Sequence, residues 1–399
     1  MAHALILGAS GISGWSIMNQ ITTYPTPTAF ARITGTTNRP LTLERAHLSP
    51  DPRVQLVSGV DFTQTVDEVA ALLREKVADV DTVSHVFYTA YIQTDGPNSL
   101  KVVNTKLLEV AVRAVEAVSC KLEVVILQTG GKGYGMQFPD KVSIRPPLRE
   151  DLPRIPQPWA DSIFYYAQYD LLEALSRGKA WTFTEIRPDG IVGYCPTANP
   201  MNLAEGVGVY LSVYRQVHGA GARVPFPGGE RSWVCRHSDT SQDVLARMEI
   251  YAALNKGVCG GGRAFNVADG EVVTWAGVWP GLCANFGLVS EPPRPAAASG
   301  STPTTGGGGG GEGKSMGEFV KEHGEVWRQL ARDDGLDPDL AGRHNWAFTD
   351  FMLGEYDFDR EYDLGRARAA GFGETADTVG GYVLAWERMR DGGVLPRLG

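Results

Sequence analysis

The sequence predicts an α/β fold: a doubly wound parallel sheet followed by a smaller, mostly helical lobe. Two observations point there. Short unbroken apolar runs alternate with stretches of helical spacing, and the first run passes directly into three glycines spaced G-x-x-G-x-x-G.

Ala4 to Leu7 is an apolar run of the kind found in a strand buried on both faces. Gly8, Gly11 and Gly14 follow, and Trp15 to Gln20 continues as a helix. A backbone turning from strand into helix approaches a pyrophosphate closely only where no Cβ intervenes. The helix N-terminus then offers free N–H groups and a positive dipole end. Gly8, Ser10, Gly11, Ile12 and Gly14 are therefore expected to hold the phosphates of a dinucleotide, which makes this a Rossmann fold. Phe30 to Thr36 is the second strand, and its end normally meets the adenosine ribose. A carboxylate there suits a 2′-hydroxyl, and a basic residue suits a 2′-phosphate. Thr36, Thr37, Asn38 and Arg39 include no acid, so NADPH is the expected cofactor, touched by Thr37, Asn38 and Arg39.

Val54 to Val57 is the third strand, and it leads to Asp61 and Phe62, expected beside the adenine. Thr65 to Val77 has helical spacing, with Val66, Val69, Ala70, Leu73 and Val77 on one face. Val83 to Tyr88 is the fourth strand. His85 within it reads as core, and Thr89 and Ala90 after it as cofactor contacts. Pro97 to Val118 is a long amphipathic helix and Leu122 to Leu127 the fifth strand. Gln128, Thr129 and a glycine-rich loop through Gly135 come next. Ligands of open α/β sheets sit beyond the carboxyl ends of strands, so this loop belongs at the chemistry. Residues 139–158 hold six prolines and read as an ordered covering loop.

Asp161 to Arg177 reads as a helix capped by Asp161 or Ser162, and Trp181 to Ile186 as the sixth strand, with Pro188 and Ile191 beyond it near the cofactor. Further helices are expected at 202–217, 238–254, 274–286, 316–332 and 374–390, with a shorter one at 362–370. A strand returns at 265–268. Residues 1–190, with 237–268 returning, are expected to form the NADP-binding domain, and 191–399 mainly the substrate lobe. The low-complexity segment 292–313 is expected to be a flexible surface loop.

Composition narrows the classes. Hydrophobic residues make up 43% of 399, enough for a sizeable core, while a formal charge of −9 argues against nucleic acid as the main partner. No run of about eighteen apolar residues is present, so no membrane span is expected, and the first apolar run is too short for a secretory signal. Five scattered cysteines fit neither a zinc site nor a disulfide framework. A metal-free protein of the cytoplasm follows, with a small-molecule substrate and a homodimer as an allowed assembly.

Tyrosines on the helix after strand five suggest a short-chain dehydrogenase, yet no lysine stands four residues after any of them; Tyr165 is followed there by Tyr169. The strand-five loop supplies another lysine. Leu127-Gln128-Thr129-Gly130-x-Lys132-x-Tyr134, together with Phe164-Tyr165-Tyr166-x-x-x-Asp170, resembles the progesterone 5β-reductase and iridoid synthase family of atypical short-chain dehydrogenases. So do His85-Val86-Phe87-Tyr88, Glu150-Asp151-Leu152-Pro153-Arg154, Arg187-Pro188, Met201-Asn202-Leu203, Ala264-Phe265-Asn266-Val267 and Leu353-Gly354, which makes the resemblance nearly end to end.

The resemblance implies Tyr165 and Lys132 as the catalytic pair of an NADPH-dependent reductase. The implied reaction is conjugate reduction of the C=C bond of an enone or enal in a small apolar or secondary-metabolite substrate. Tyr165 would stabilise the enolate oxygen, while Lys132 would hold the nicotinamide ribose and lower the phenol's pKa. Tyr91, Tyr134, Phe138, Phe164, Met201 and Phe348 are the expected pocket walls. Departures cluster around that pocket: the family's lysine loop usually carries Arg and His where Gly131 and Gly133 stand, and its strand-four end usually has Trp where Tyr91 stands. Gly190 replaces a common Asn, and Tyr169 an acidic residue. Direct ketone or aldehyde reduction by the same fold remains an alternative, as does a non-catalytic dinucleotide-binding regulator. A nucleotide-sugar epimerase is disfavoured by the missing Tyr-x-x-x-Lys.

Overall fold

The computed structural model describes residues 2–197, 199, 201–294 and 314–398, and gives no side-chain account of Glu355. Most of the segment expected to be a flexible loop, residues 295–313, lies outside the described residues.

The chain begins β1 (Ala2–Leu7), α1 (Ile12–Gln20), β2 (Phe30–Thr37), β3 (Val54–Ser58), α2 (Val66–Lys76) and β4 (His85–Tyr88). It continues α3 (Pro97–Val118), β5 (Val124–Gln128), α4 (Phe164–Ser176) and β6 (Thr182–Pro188). Next are β7 (Gly190–Val192), α5 (Leu203–His218), β8 (Arg223–Pro225), α6 (Glu230–Val234) and β9 (Asp239–Ser241). Then follow α7 (Gln242–Leu254), α8 (Lys256–Cys259), β10 (Arg263–Val267), α9 (Trp275–Asn285) and β11 (Val289–Glu291). The remainder is α10 (Met316–Glu322), α11 (Gly324–Asp334), α12 (Leu340–Arg343), α13 (Trp346–Asp350), α14 (Gly365–Ala369) and α15 (Thr378–Asp391).

The main sheet has seven parallel strands in the order β10-β6-β5-β4-β1-β2-β3. The order turns at β1 and β4, as in a doubly wound sheet. Its central strands are apolar on both faces because helices cover both. Leu5, Leu7, Val86, Val125 and Leu127 share one core with α2, α3 and Leu172 of α4. The alternate residues Ala4, Ile6, Phe87 and Ile126 are equally buried.

The chain divides into two compact units. The first is Met1–Asp189, Gln242–Ala268 and Tyr362–Glu374; the second is Gly190–Ser241, Asp269–Glu361 and Thr375–Gly399. Tyr362–Glu374, which sequence order assigns to the C-terminal lobe, belongs to the first unit for a physical reason. Tyr362 bridges to Leu148 and donates its hydroxyl to the Pro188 carbonyl at 3.2 Å. Tyr251 donates to the Ala370 carbonyl at 2.8 Å, and Arg247 pairs with Glu374 at 3.0 Å. The second unit is less purely helical than expected, since β7 pairs with β9 and β8 with β11, both in parallel.

Several boundaries differ from the sequence pattern. The helix expected at 238–254 starts at Gln242, because Asp239–Ser241 pairs with β7 and the Asp269 carboxylate takes the Ser241 amide at 2.6 Å. The helix expected at 161–177 starts at Phe164. Residues 159–162 form a 3-10 turn closed by Ser162 donating to the Trp159 carbonyl at 2.7 Å, so neither Asp161 nor Ser162 caps α4. The stretch 316–332 breaks at His323 into α10 and α11. The stretch 374–390 becomes α15, capped by Asp377, which accepts from the Gly380 amide.

His85 is a core residue with its ring bonded to the Ser84 hydroxyl at 2.8 Å, and burial pushes its pKa down to about 4. The unfolded chain protonates an ordinary histidine below about 6.5. Between pH 6.5 and 4 the unfolded state therefore binds the extra proton, and the folded state loses stability as pH falls. Compared with a His85→Asn variant, the native chain should lose about 1 to 3 kcal/mol more between pH 7 and 4, read from urea unfolding midpoints. A pH-independent difference between the two would refute this.

Candidate active site

The glycine turn divides its work. Gly8 has φ +98°, and a Cβ there would stand 2.9 Å from the Ala90 amide nitrogen. A Cβ on Gly14 would run into the Gly8 carbonyl. Both are therefore demanded by the chain's own packing. Gly11 is different: its φ is −80°, and an added Cβ would meet only the Gly8 oxygen, at an ordinary 3.5 Å. It sits at the N-cap of α1, where no side chain caps the helix. The N-terminal turn of α1 therefore has no side chain competing for its amides, an arrangement suited to an anion, although the Gly8 and Gly11 amides themselves donate to the carbonyls of Thr36 at 3.2 Å and Gly8 at 3.1 Å.

The other expected cofactor residues, Ile191 apart, lie near the ends of β2, β3, β4, β5 and β6. Asn38 and Arg39 are exposed at the end of β2, whereas Thr37 is buried and donates to the Arg39 carbonyl at 2.7 Å. Asp61 already accepts the Thr63 amide at 2.9 Å and hydroxyl at 2.8 Å, and Phe62 belongs to the core. Thr89 donates to the Leu7 carbonyl at 2.9 Å, and Ala90 packs over Gly8. At the end of β5 the Gln128 side-chain oxygen Oε1 is buried with no hydrogen-bond partner among the described residues. Ile191 lies in the second unit, paired with Thr240 on β9.

Beyond β5 the chain turns through Gly130 into a 3-10 turn at Gly131–Tyr134, and Lys132 stands on that turn. Tyr165 stands in the first turn of α4. Both line one cavity of about 250 Å³, together with Ile163, Phe164, Leu100 and Gln137. The loop passes beside Tyr165 at Gly130, where an added Cβ would make only ordinary contacts, with the Tyr165 hydroxyl oxygen at 3.5 Å and the Pro188 carbonyl at 3.4 Å. The Lys132 ammonium has no hydrogen bond or ion pair among the described residues, and burial pushes its pKa below the ordinary lysine value.

The neighbouring tyrosines are committed elsewhere. Tyr166 donates to the Gly133 carbonyl at 2.5 Å and accepts the Ile155 amide at 3.1 Å. Tyr169 donates to the Gly262 carbonyl at 2.8 Å. Of the expected walls, Phe164 lines the cavity, and Tyr91 stacks behind it with ring centroids 5.9 Å apart. Phe138 packs on Trp159 at 5.2 Å instead. Tyr134 does not line this cavity either; it is buried and donates to Asn266 at 2.6 Å. Met201 and Phe348, each half-buried, lie in the second unit.

Sequence reasoning missed the support beneath the lysine loop. Thr129 donates to Glu185 at 2.7 Å, and Glu185 pairs with Arg187 at 2.8 Å. Arg187 donates to the Tyr134 hydroxyl at 3.3 Å. Burial works against the Arg187 charge, but Glu185 and Tyr134 outweigh it and hold the guanidinium protonated above its ordinary range. Burial also pushes the Tyr134 phenol up to about 12. Asn266 extends the chain by donating to the carbonyls of Leu148 at 2.8 Å and Asp363 at 3.2 Å. A signal was present: an acid and a base two residues apart on a buried strand share one face. Glu185→Ala should destabilise the protein by about 3 to 5 kcal/mol, because it strands a buried arginine, while a Glu185→Leu/Arg187→Met double variant should cost less. Equal costs in a chemical-unfolding double-mutant cycle would overturn this.

Residues 4–396 match the model of the PRISE-like Rossmann-fold domain. Among curated proteins, the chain is 36% identical to the short chain dehydrogenase sirQ of Leptosphaeria maculans, covering 99% of this chain and 98% of the relative. It is 29% identical to the (S)-8-oxocitronellyl enol synthase of Nepeta racemosa, and 26% identical to the 3-oxo-Delta(4,5)-steroid 5-beta-reductase of Arabidopsis thaliana. Each of these two matches covers 88% of this chain and 82% of the relative. Among solved structures, the fold is similar to the dTDP-glucose 4,6-dehydratase DesIV of Streptomyces venezuelae, crystallised with NAD. That match has a TM-score of 0.57 at 13% identity and covers 98% and 97% of the two chains. Vestitone reductase from alfalfa gives 0.55 at 13% identity, covering 99% and 100%. The chain therefore belongs to the PRISE-like Rossmann-fold family, oxidoreductases of the short-chain dehydrogenase superfamily.

Proposed function

We propose that this protein is an NADPH-dependent reductase that adds hydrogen across the C=C bond of a small enone or enal. One observation carries the reading: Tyr165 and Lys132, on separate elements, line the same cavity beyond the end of β5. Two of its relatives bear names of an enol synthase and a steroid 5-beta-reductase. When bound, the nicotinamide supplies a hydride to the electron-poor carbon of the substrate. The chain's own residues do the rest. The Tyr165 hydroxyl donates to the carbonyl oxygen, where negative charge accumulates as the enolate forms; a proton from water then adds to the α-carbon and gives the saturated carbonyl compound. A donor fixed at that oxygen stabilises the developing charge more than it stabilises the neutral carbonyl. Lys132, poorly hydrated and without a protein counter-ion among the described residues, holds the cofactor ribose and favours ionisation of the phenol. Asn38 and Arg39 meet the adenosine ribose, with the exposed guanidinium reading a 2′-phosphate.

The deciding experiment follows NADPH oxidation with 2-cyclohexen-1-one and with cyclohexanone, and identifies the products. Saturated ketone from the enone is expected, with Tyr165→Phe lowering kcat about 100-fold or more. Allylic alcohol, or turnover of cyclohexanone alone, would reassign the enzyme to carbonyl reduction. Binding of dinucleotide without turnover of any carbonyl compound would favour a regulatory role.

For the cofactor, Arg39→Ala should raise KM for NADPH about tenfold while leaving KM for NADH nearly unchanged, by removing one charge-assisted contact. Equal changes for both would remove Arg39 from the phosphate site.

A further inference from the structure

Two segments beside α4 have little regular structure of their own. Residues 131–134 form a single 3-10 turn, and residues 139–158 hold six prolines and neither a helix nor a strand. Fixing such backbone costs conformational entropy, so side chains from an ordered element must hold it. One hydroxyl on α4 reaches both segments. The Tyr166 phenol donates to the Gly133 carbonyl at 2.5 Å and accepts the Ile155 amide at 3.1 Å. Gly133 directly follows Lys132, and Tyr166 directly follows Tyr165. The hydroxyl therefore ties the backbone next to one member of the proposed pair to the side chain next to the other. The Tyr166 ring is held as well. Together with Tyr165 it packs against a small buried cluster of Val142, Ile155 and Ile163. The Arg154 guanidinium lies 4.7 Å from its centroid and is fixed to Asp170 of α4 by bonds of 2.9 and 2.5 Å. An added Cβ at Gly135 would meet Val142 at 2.9 Å and Ile155 at 3.0 Å, so the lysine loop presses on the same cluster.

We infer that Tyr166 is a positioning residue: its hydroxyl locks the lysine loop and the proline-rich segment onto α4 and so sets where Lys132 stands relative to Tyr165. The inference rests on the reading of Lys132 and Tyr165 as the reacting pair. A phenol suits this place because it donates once and accepts at the same oxygen, whereas a phenylalanine ring of the same shape can do neither. Tyr166 touches no reacting atom in this account and acts through the residues on either side of the pair. A catalytic group displaced by about an ångström can lose about a hundredfold in rate. Binding of the enone by the cavity walls Leu100, Ile163 and Phe164 does not depend on the lock. Its loss therefore falls on kcat and not on KM for the enone.

The test uses the full chain with NADPH and 2-cyclohexen-1-one, together with hydrogen exchange read by mass spectrometry. Tyr166→Phe keeps the half-buried ring and its packing, and thermal unfolding checks that it is folded. It should lower kcat about tenfold or more while KM for the enone stays within about twofold. Exchange should speed up in peptides spanning Ile155 and residues 131–135, and stay unchanged in peptides of β1 and β4. Tyr169→Phe is the control. It removes a bond of 2.8 Å from the same helix to the Gly262 carbonyl, away from both segments, and should leave kcat within about twofold. Equal losses of kcat in the two variants, or a rise in KM alone, would make Tyr166 a stabiliser of α4 and overturn the inference. Native exchange at Ile155 in Tyr166→Phe would overturn it as well. Lys132→Ala separates the two proposals. If it is inactive while Tyr166→Phe turns over at the native rate, only the positioning role falls. If Lys132→Ala itself keeps native turnover, the reading of the pair falls, and faster exchange in Tyr166→Phe still upholds the lock between the two segments.

Discussion

Glu185 and Arg187 stand two residues apart on β6, on the same face of a buried strand, and they carry opposite charges out of water together. Such a pair adds little net stability, because desolvation offsets most of the attraction. Its consequence is positional. Thr129 hangs on Glu185 at one end of the loop after β5, and Tyr134 rests against Arg187 at the other. Lys132 lies between these two fixed points. The loop around it is rich in glycine and has little internal reason to hold one shape. A charged pair with bonds in both directions therefore gives an intrinsically mobile segment a defined path, and Asn266 ties that path to β10 and to Leu148.

The same economy of contacts separates the tyrosines of α4. Three of them lie within five positions, and by chemistry alone any could be a catalytic phenol. Tyr166 is occupied in closing the loop at Gly133 and Tyr169 in holding Gly262. Tyr165 is the one that reaches the cavity. Gly131 carries a related lesson about the departures from the family pattern. A side chain at that position would run into the Met136 methyl and the Tyr362 hydroxyl. Space that a long residue would need has been closed by its neighbours, so the loss of the side chain and the packing of Met136 belong together.

The order of elements in the first unit was legible because each main-sheet strand is a short apolar run, and a strand covered on both faces needs that pattern. The glycine turn was legible from its spacing directly after an apolar run; Gly14 is required by the nearby Gly8 carbonyl, whereas the contact that requires Gly8 comes from Ala90, far along the chain. Boundaries that depend on remote partners were not. The start of α7 depends on Asp269 taking the Ser241 amide, and the assignment of Tyr362–Glu374 depends on Pro188, Tyr251 and Arg247. Tyr134 illustrates the same limit, since an aromatic residue beside Lys132 in sequence turns inward to Asn266.

Sequence by itself determined the α/β class, the glycine turn after β1, the family, and the identities of Lys132 and Tyr165 as a pair worth bringing together. These rest on local spacing or on motifs whose residues are read directly. Only the tertiary structure decided that Lys132 and Tyr165 share a cavity and that Glu185 and Arg187 hold the loop. The physical reason is that burial and hydrogen-bond satisfaction are properties of atoms from distant segments, and no window of the chain contains both partners.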